Sequence, residues 1–239
     1  MTTVVLLHGW PGSVDDYRRV LPLLDGLDVV VPELFGQEDS SADAHAARIL
    51  AATTGDLIPV GYDIGSRIAQ AIARSAPERV AGLVTSPAYP GLGDRPFQPD
   101  FAPITWYQHF HRNGLAAELI DGNERAVRAY LGHIYREWTS DDSLLTEELV
   151  QRYSQPGAFR ASIEWYSANR GYAGVAPVTV PTIVLWPDAD VLFPVTWADR
   201  IDEWFVDARL RVIQSGHFVP LEAPEQVAQA IRELLPVEA

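Results

Sequence analysis

The chain has 239 residues, 47% of them hydrophobic and 21% charged, enough apolar material for one large core with an insertion. Its formal net charge of −14 excludes the basic surface that binding to nucleic acid or an anionic membrane requires. It has no cysteine, which excludes disulfides and thiolate metal sites.

Residues 1–7 are apolar but lack a basic leader, and they run straight into His8-Gly9-Trp10-Pro11. They read as a buried strand, not a signal peptide. No apolar run approaches the ~20 residues of a membrane helix, so a cytoplasmic location is the default expectation. Further β-branched runs occupy residues 28–31, 57–60, 80–84, 182–186 and 209–213. Most are continuously apolar, as strands covered on both faces are. Helical patterns lie at 41–53, at 66–76 after Gly65, and at 224–235 behind Pro224. Such alternation predicts a mostly parallel sheet with helices on both faces.

The alternation stops between about residues 87 and 172. Prolines 87, 90, 96, 99 and 103 mark an irregular crossing segment. Four helical stretches follow, at 105–120, 122–138, 143–154 and 157–168, with Asp141 or Asp142 placed to cap the third. Residues 171–181 lead back to a strand. The expected layout is an α/β core of residues 1–89 and 173–239 with an all-helical cap, 90–172, inserted into it.

Three segments carry chemistry. Gly61-Tyr62-Asp63-Ile64-Gly65 follows a strand and opens a helix. A turn that sharp needs small flanking residues and lifts the central side chain above the sheet edge, at a helix N-terminus that favours a carboxylate. An ordinary turn with a capping Asp has the same pattern. His8-Gly9-Trp10-Pro11-Gly12 also follows a strand and can turn backbone N–H groups into the same crevice, or serve only as a structural turn. Ser215-Gly216-His217 follows the run at 209–213, and Asp188 and Asp190 follow the run at 182–186. Acidic residue and histidine therefore share the sheet edge where open α/β sheets place ligands.

Taken together, these segments resemble the α/β-hydrolase superfamily over most of the chain, in its epoxide hydrolase-like branch with an Asp nucleophile. The histidine loop pattern is matched by Gly216, His217, Glu222 and Pro224, and the acid pattern selects Asp190 over Asp188. The resemblance implies Asp63 as nucleophile, His217 as base, Asp190 as its orienting acid, and Trp10 and Ile64 as oxyanion-hole donors worth about 3 kcal/mol each. A serine attacking a saturated carbon would end as a dead ether. Aspartate instead forms an ester that water can cleave. The chemistry is then epoxide opening or halide displacement.

The cap contexts Tyr107-Gln108 and Trp165-Tyr166 resemble the tyrosines that grip an epoxide oxygen. Trp106, Trp165 and Gln108 are candidate substrate contacts, although aromatic residues more often simply pack. Arg67 reads as an acid-group anchor or, more simply, a helix-face charge. His109 and His111 face different ways on a helix and have no third ligand beside them. No metal or organic cofactor is implied. The expected partner is a small apolar epoxide.

Relatives carry further strands before the His-Gly-x-Pro strand, so a sheet of about six strands is expected here, with a first-strand edge that is either exposed or covered by a partner such as a second copy. The segment 32–40 departs from the family loop at Phe35 and Glu38. Dehalogenation is the alternative activity. A non-catalytic ligand-binding protein on the same scaffold, like the plant hormone receptors of this fold, is the second alternative.

Overall fold

A computed structural model describes residues 2–169 and 175–236. Six parallel strands form one sheet in the order β2-β1-β3-β4-β5-β6. They are β1 (Thr2–Leu7), β2 (Asp28–Val30), β3 (Asp56–Gly61), β4 (Leu83–Thr85), β5 (Thr182–Pro187) and β6 (Ala208–Ile213). In β1, β3 and β5 nearly every successive residue is buried. Successive side chains point to opposite faces, so both faces of the central sheet are covered. Edge strand β2 is half-buried and edge strand β6 is mostly half-buried or exposed.

The chain runs from β1 outward to β2, then returns to pair β3 on the other side of β1, with Leu7 opposite Gly61. Strand order therefore reverses at the C-terminal ends of β1 and β3, which opens a crevice there. Helices α1 (Ala42–Ala52) and α2 (Ile64–Ser75) follow β2 and β3, and α10 (Pro224–Leu234) closes the described chain. Ile68 and Ile72 of α2 are completely buried, each contributing roughly 1.5–3 kcal/mol. Between β4 and β5 come α3 (Ala102–Arg112), α4 (Leu115–Ile120), α5 (Glu124–Trp138), α6 (Glu147–Ser154) and α7 (Ala158–Ala168). Short helices α8 (Ile201–Trp204) and α9 (Val219–Glu222) flank β6.

Three local expectations need correction. The helix expected over 105–120 is two helices, because Gly114 takes φ 79° and breaks it. The helix expected from 143 starts at Glu147, capped by the Thr146 side chain, which accepts from Leu149 N–H. Asp141 instead accepts from Ser143 N–H in the preceding turn. The strand expected at 80–84 is paired only from Leu83 to Thr85, with Val80 making an isolated bridge to Leu57. Residues 171–174 of the expected irregular stretch lie outside the described residues.

Candidate active site

The turn from β3 into α2 is held by close backbone approaches. A Cβ on Gly65 would lie 2.1 Å from the Leu7 carbonyl oxygen, and one on Gly61 would lie 2.3 Å from the Gly65 carbonyl. Ser66 Oγ donates to the carbonyls of Gly61 and Ser86 and accepts from Ser86 N–H, which ties the turn to β4. Asp63, between the glycines, has φ 50° and is the only described non-glycine residue with positive φ. Such a backbone costs roughly 1–3 kcal/mol and persists only when its surroundings over-determine it. Asp63 makes none of the usual capping bonds further along α2. Its carboxylate accepts from Trp10 N–H at 2.8 Å and also from Ile64 N–H. Two backbone donors from two different strand ends thus meet on one carboxylate.

The loops after β5 and β6 bring an acid to a histidine. His217 Nδ1 lies 3.0 Å from Asp190 Oδ2, both side chains being buried. Leu192 N–H donates to the other Asp190 oxygen, which fixes the carboxylate plane. Asp188 does a different job, accepting from Ser215 N–H across the two loops. Glu222 accepts from Gly216 N–H and Phe218 N–H, clamping the histidine from both sides. Of the two ring nitrogens, Nε2 is buried with no protein partner.

A cavity of about 100 Å³ has Asp63 in its wall. Tyr107 and Gln108 of α3 and Trp165 and Tyr166 of α7 line it from the helical insertion, and Leu192 and Phe193 from the loop after β5. The rings of Tyr107 and Tyr166 meet edge to face, 5.7 Å apart.

A family model described as the alpha/beta hydrolase family matches residues 4–230. This chain belongs to that family. The hydrolase is 27% identical to a soluble epoxide hydrolase of Corynebacterium sp. (strain C12), over 94% of this chain and 86% of the relative. It is also 27% identical to a pimeloyl-[acyl-carrier protein] methyl ester esterase of Aromatoleum aromaticum, over 97% of each. The solved structure of the epoxide hydrolase CorEH superposes with a TM-score of 0.81 at 24% identity, covering 98% of this chain and 91% of that one. At that identity the superposition establishes the fold.

Electrostatics in the hydrolase's cavity follow from burial and neighbours. Burial pushes the Asp63 carboxyl up, opposed by the nearby His217 charge and the two backbone donors. Burial alone would push His217 down. The Asp190 carboxylate outweighs it by charge and hydrogen bond, helped by Asp63, and the net shift is upward. Burial and the Asp63 charge both push Tyr107 and Tyr166 well up, so their hydroxyls keep their protons.

Trp106 is not part of the cavity wall. One position before Tyr107, about 100° around the helix, it is 37% exposed and packs on Phe110, Tyr130 and His133. The other expected contacts, Gln108 and Trp165, do line the cavity. Trp10 reaches Asp63 through its backbone N–H, while its indole N–H donates to Ser162 Oγ and its ring packs on Tyr107 and Tyr166.

Asp16 and Arg112 do not stand out in the sequence, and His111 stands out there only as half of a histidine pair without a third ligand. His111 is buried against Trp10 and Tyr166, holds Tyr130 at 2.8 Å, and is pushed down to about 3 by burial, so it stays neutral. Asp16 lies behind the turn, accepts from the Tyr62 hydroxyl at 2.5 Å, and is pushed up to about 6 by burial. Arg112 joins Arg67 in the cavity wall. Among the described residues no group of three or more His, Cys, Asp or Glu is placed to hold a metal. No described helix is long and apolar enough to cross a membrane.

Proposed function

We propose that this hydrolase opens an epoxide to a vicinal diol through an alkyl ester on Asp63. The observation that carries the reading is the shared cavity: an aspartate held by two backbone N–H groups lines it together with two tyrosines whose hydroxyls keep their protons. Helices α3–α7, within residues 90–172, act as a cap over a core of residues 1–89 and 173–239.

In the first step an Asp63 carboxylate oxygen attacks an epoxide carbon, and the carbon–oxygen bond of the ring breaks. The departing oxygen takes a proton from Tyr107 or Tyr166. In the second step His217 Nε2 removes a proton from water, and the hydroxide adds to Cγ of Asp63. Asp190 holds the other ring nitrogen and stabilises the imidazolium. The oxyanion at Cγ forms between Trp10 N–H and Ile64 N–H. Such preorganised donors are worth about 3 kcal/mol each. Collapse breaks the Cγ bond to the alkyl oxygen, which leaves as diol with the proton from His217. The remaining water proton restores the tyrosine hydroxyl. One epoxide and one water give one diol, with no other reactant.

Displacement of halide from a haloacid is the second reading, favoured by Arg67 in the cavity wall. A haloalkane is disfavoured, because the Trp10 indole N–H that could hold a halide is engaged with Ser162. Incubation with a panel of terminal epoxides, haloalkanes and haloacids, with quantification of diol and halide, tests the assignment. Diol formation that vanishes in Asp63→Asn is expected. Halide release without diol, or equal diol from Asp63→Asn, contradicts it.

A further inference from the structure

The cavity's charge is opposite to that of the molecule. The chain carries 32 acidic and 18 basic residues excluding histidine. Yet the cavity wall holds two arginines, Arg67 and Arg112, and Asp63 is its only acid among the described residues. Helix electrostatics favours Arg112, which ends α3, but not Arg67. Arg67 is the fourth residue of α2, near the positive end of the helix dipole, where a cation is disfavoured. Both are partly withdrawn from water and rest on aromatic rings. Arg67 lies 5.8 Å over Trp165, and Arg112 lies 5.7 Å over Phe97 while its Nε donates to the Tyr166 carbonyl. The two guanidiniums come from different elements, the core helix that starts at Asp63 and the inserted helix that carries Tyr107. A mostly apolar wall with two cations is matched to an organic anion, because guanidinium forks suit a carboxylate.

We propose that Arg67 and Arg112 form a carboxylate subsite, so that the substrate is a short epoxide bearing an acid group. The proposal rests on the epoxide reading above and narrows its substrate class. Spacing sets the length. Arg67 follows Asp63 by four residues, a rise of about 6 Å along the helix axis. An acid group bound there lies within a few carbons of the epoxide carbon that Asp63 attacks. The arginines also answer an electrostatic problem, since an anionic substrate must approach an anionic nucleophile. Two cations beside the path offset that repulsion. Interactions in a low-dielectric wall are also less screened by salt than those on the surface.

The test compares two epoxides with one carbon skeleton, one ending in a carboxylate and the other in the primary amide. With the full-length protein at pH 8, kcat/KM is expected to favour the carboxylate by about tenfold or more. That preference is expected to fall by about tenfold in Arg67→Gln and by several-fold in Arg112→Gln. A general folding defect cancels, because both substrates are measured on the same variant. Butanoate supplies a second readout: it is expected to inhibit competitively, and about tenfold more weakly in Arg67→Gln. Turnover of the amide as fast as the acid, or a ratio unchanged in both variants, overturns the subsite and leaves the epoxide reading standing. No diol from either substrate overturns the epoxide reading and the subsite with it.

Discussion

The two walls of the cavity are positioned by different forces. On the sheet side, Asp63 is fixed by backbone: two N–H donors, glycine contacts too tight for a Cβ, and a serine bridging β3 to β4. Asp190 and His217 are likewise held by N–H groups and by carboxylates clamping their loops. On the helical side, Tyr107 and Tyr166 are held mainly by rings against rings: each other, Trp10 and His111. Hydrogen bonds to backbone tolerate sub-ångström error poorly, whereas aromatic contacts adapt. The sheet side therefore suits the covalent steps, which demand an attack geometry. The helical side suits proton donation and substrate fit, where two hydroxyls can share one task.

Substitutions on the two walls should then differ in size. The largest loss is expected for Asp63→Asn, about 10⁴-fold or more in kcat, because no other carboxylate among the described residues lines the cavity. His217→Gln should stop the second step alone. Intact-mass measurement should then show one equivalent of ester-bound substrate on Asp63, with steady turnover down about 10³-fold. Rapid turnover without that adduct would break the contrast. On the helical wall, Tyr107→Phe and Tyr166→Phe should each cost about tenfold in kcat and the pair about 10³-fold. Equal collapse in either single variant would mean that the wall is as exacting as the sheet side.

The pH profile sharpens the same contrast. In the proposed second step His217 acts in its neutral form, and Asp190 holds its proton affinity above the usual histidine value. The ester-hydrolysis step should therefore rise with pH through a point above 6.5. Removing the carboxylate removes the cause, so Asp190→Asn should move that limb to lower pH while lowering the rate. A limb that stays in place would contradict the assignment of Asp190. Trp106→Ala is expected to have the smallest effect, less than about twofold in KM, since the ring faces away from the cavity.

Legibility in the sequence divides along the same line. Asp63, Asp190 and His217 stand at strand ends in short motifs, where the chain's local geometry already dictates which way each side chain points. Gly61 and Gly65 announce the tight approach that their missing side chains permit. Strands buried on both faces also announce themselves as apolar runs. In β4, however, Gly82 packs against Leu234 and pairing starts only where Leu83 N–H reaches the Pro181 carbonyl. In the helical insertion, rings surround much of α3. Tyr107 and Trp106 are adjacent and both aromatic, and only packing against α7 and Trp10 decides which faces the cavity. Arg112 was missed for the same reason, since helical period alone does not say which charged face is turned inward.

The central claim is that Asp63 attacks carbon and is freed by water attacking its own carboxyl group. A single turnover in ¹⁸O-water with excess protein, followed by mass spectrometry of the Asp63 peptide, tests it most directly. One ¹⁸O in the Asp63 carboxylate and an unlabelled diol are the expected result. An unlabelled Asp63 with ¹⁸O in the diol would mean direct attack by water and would contradict the account.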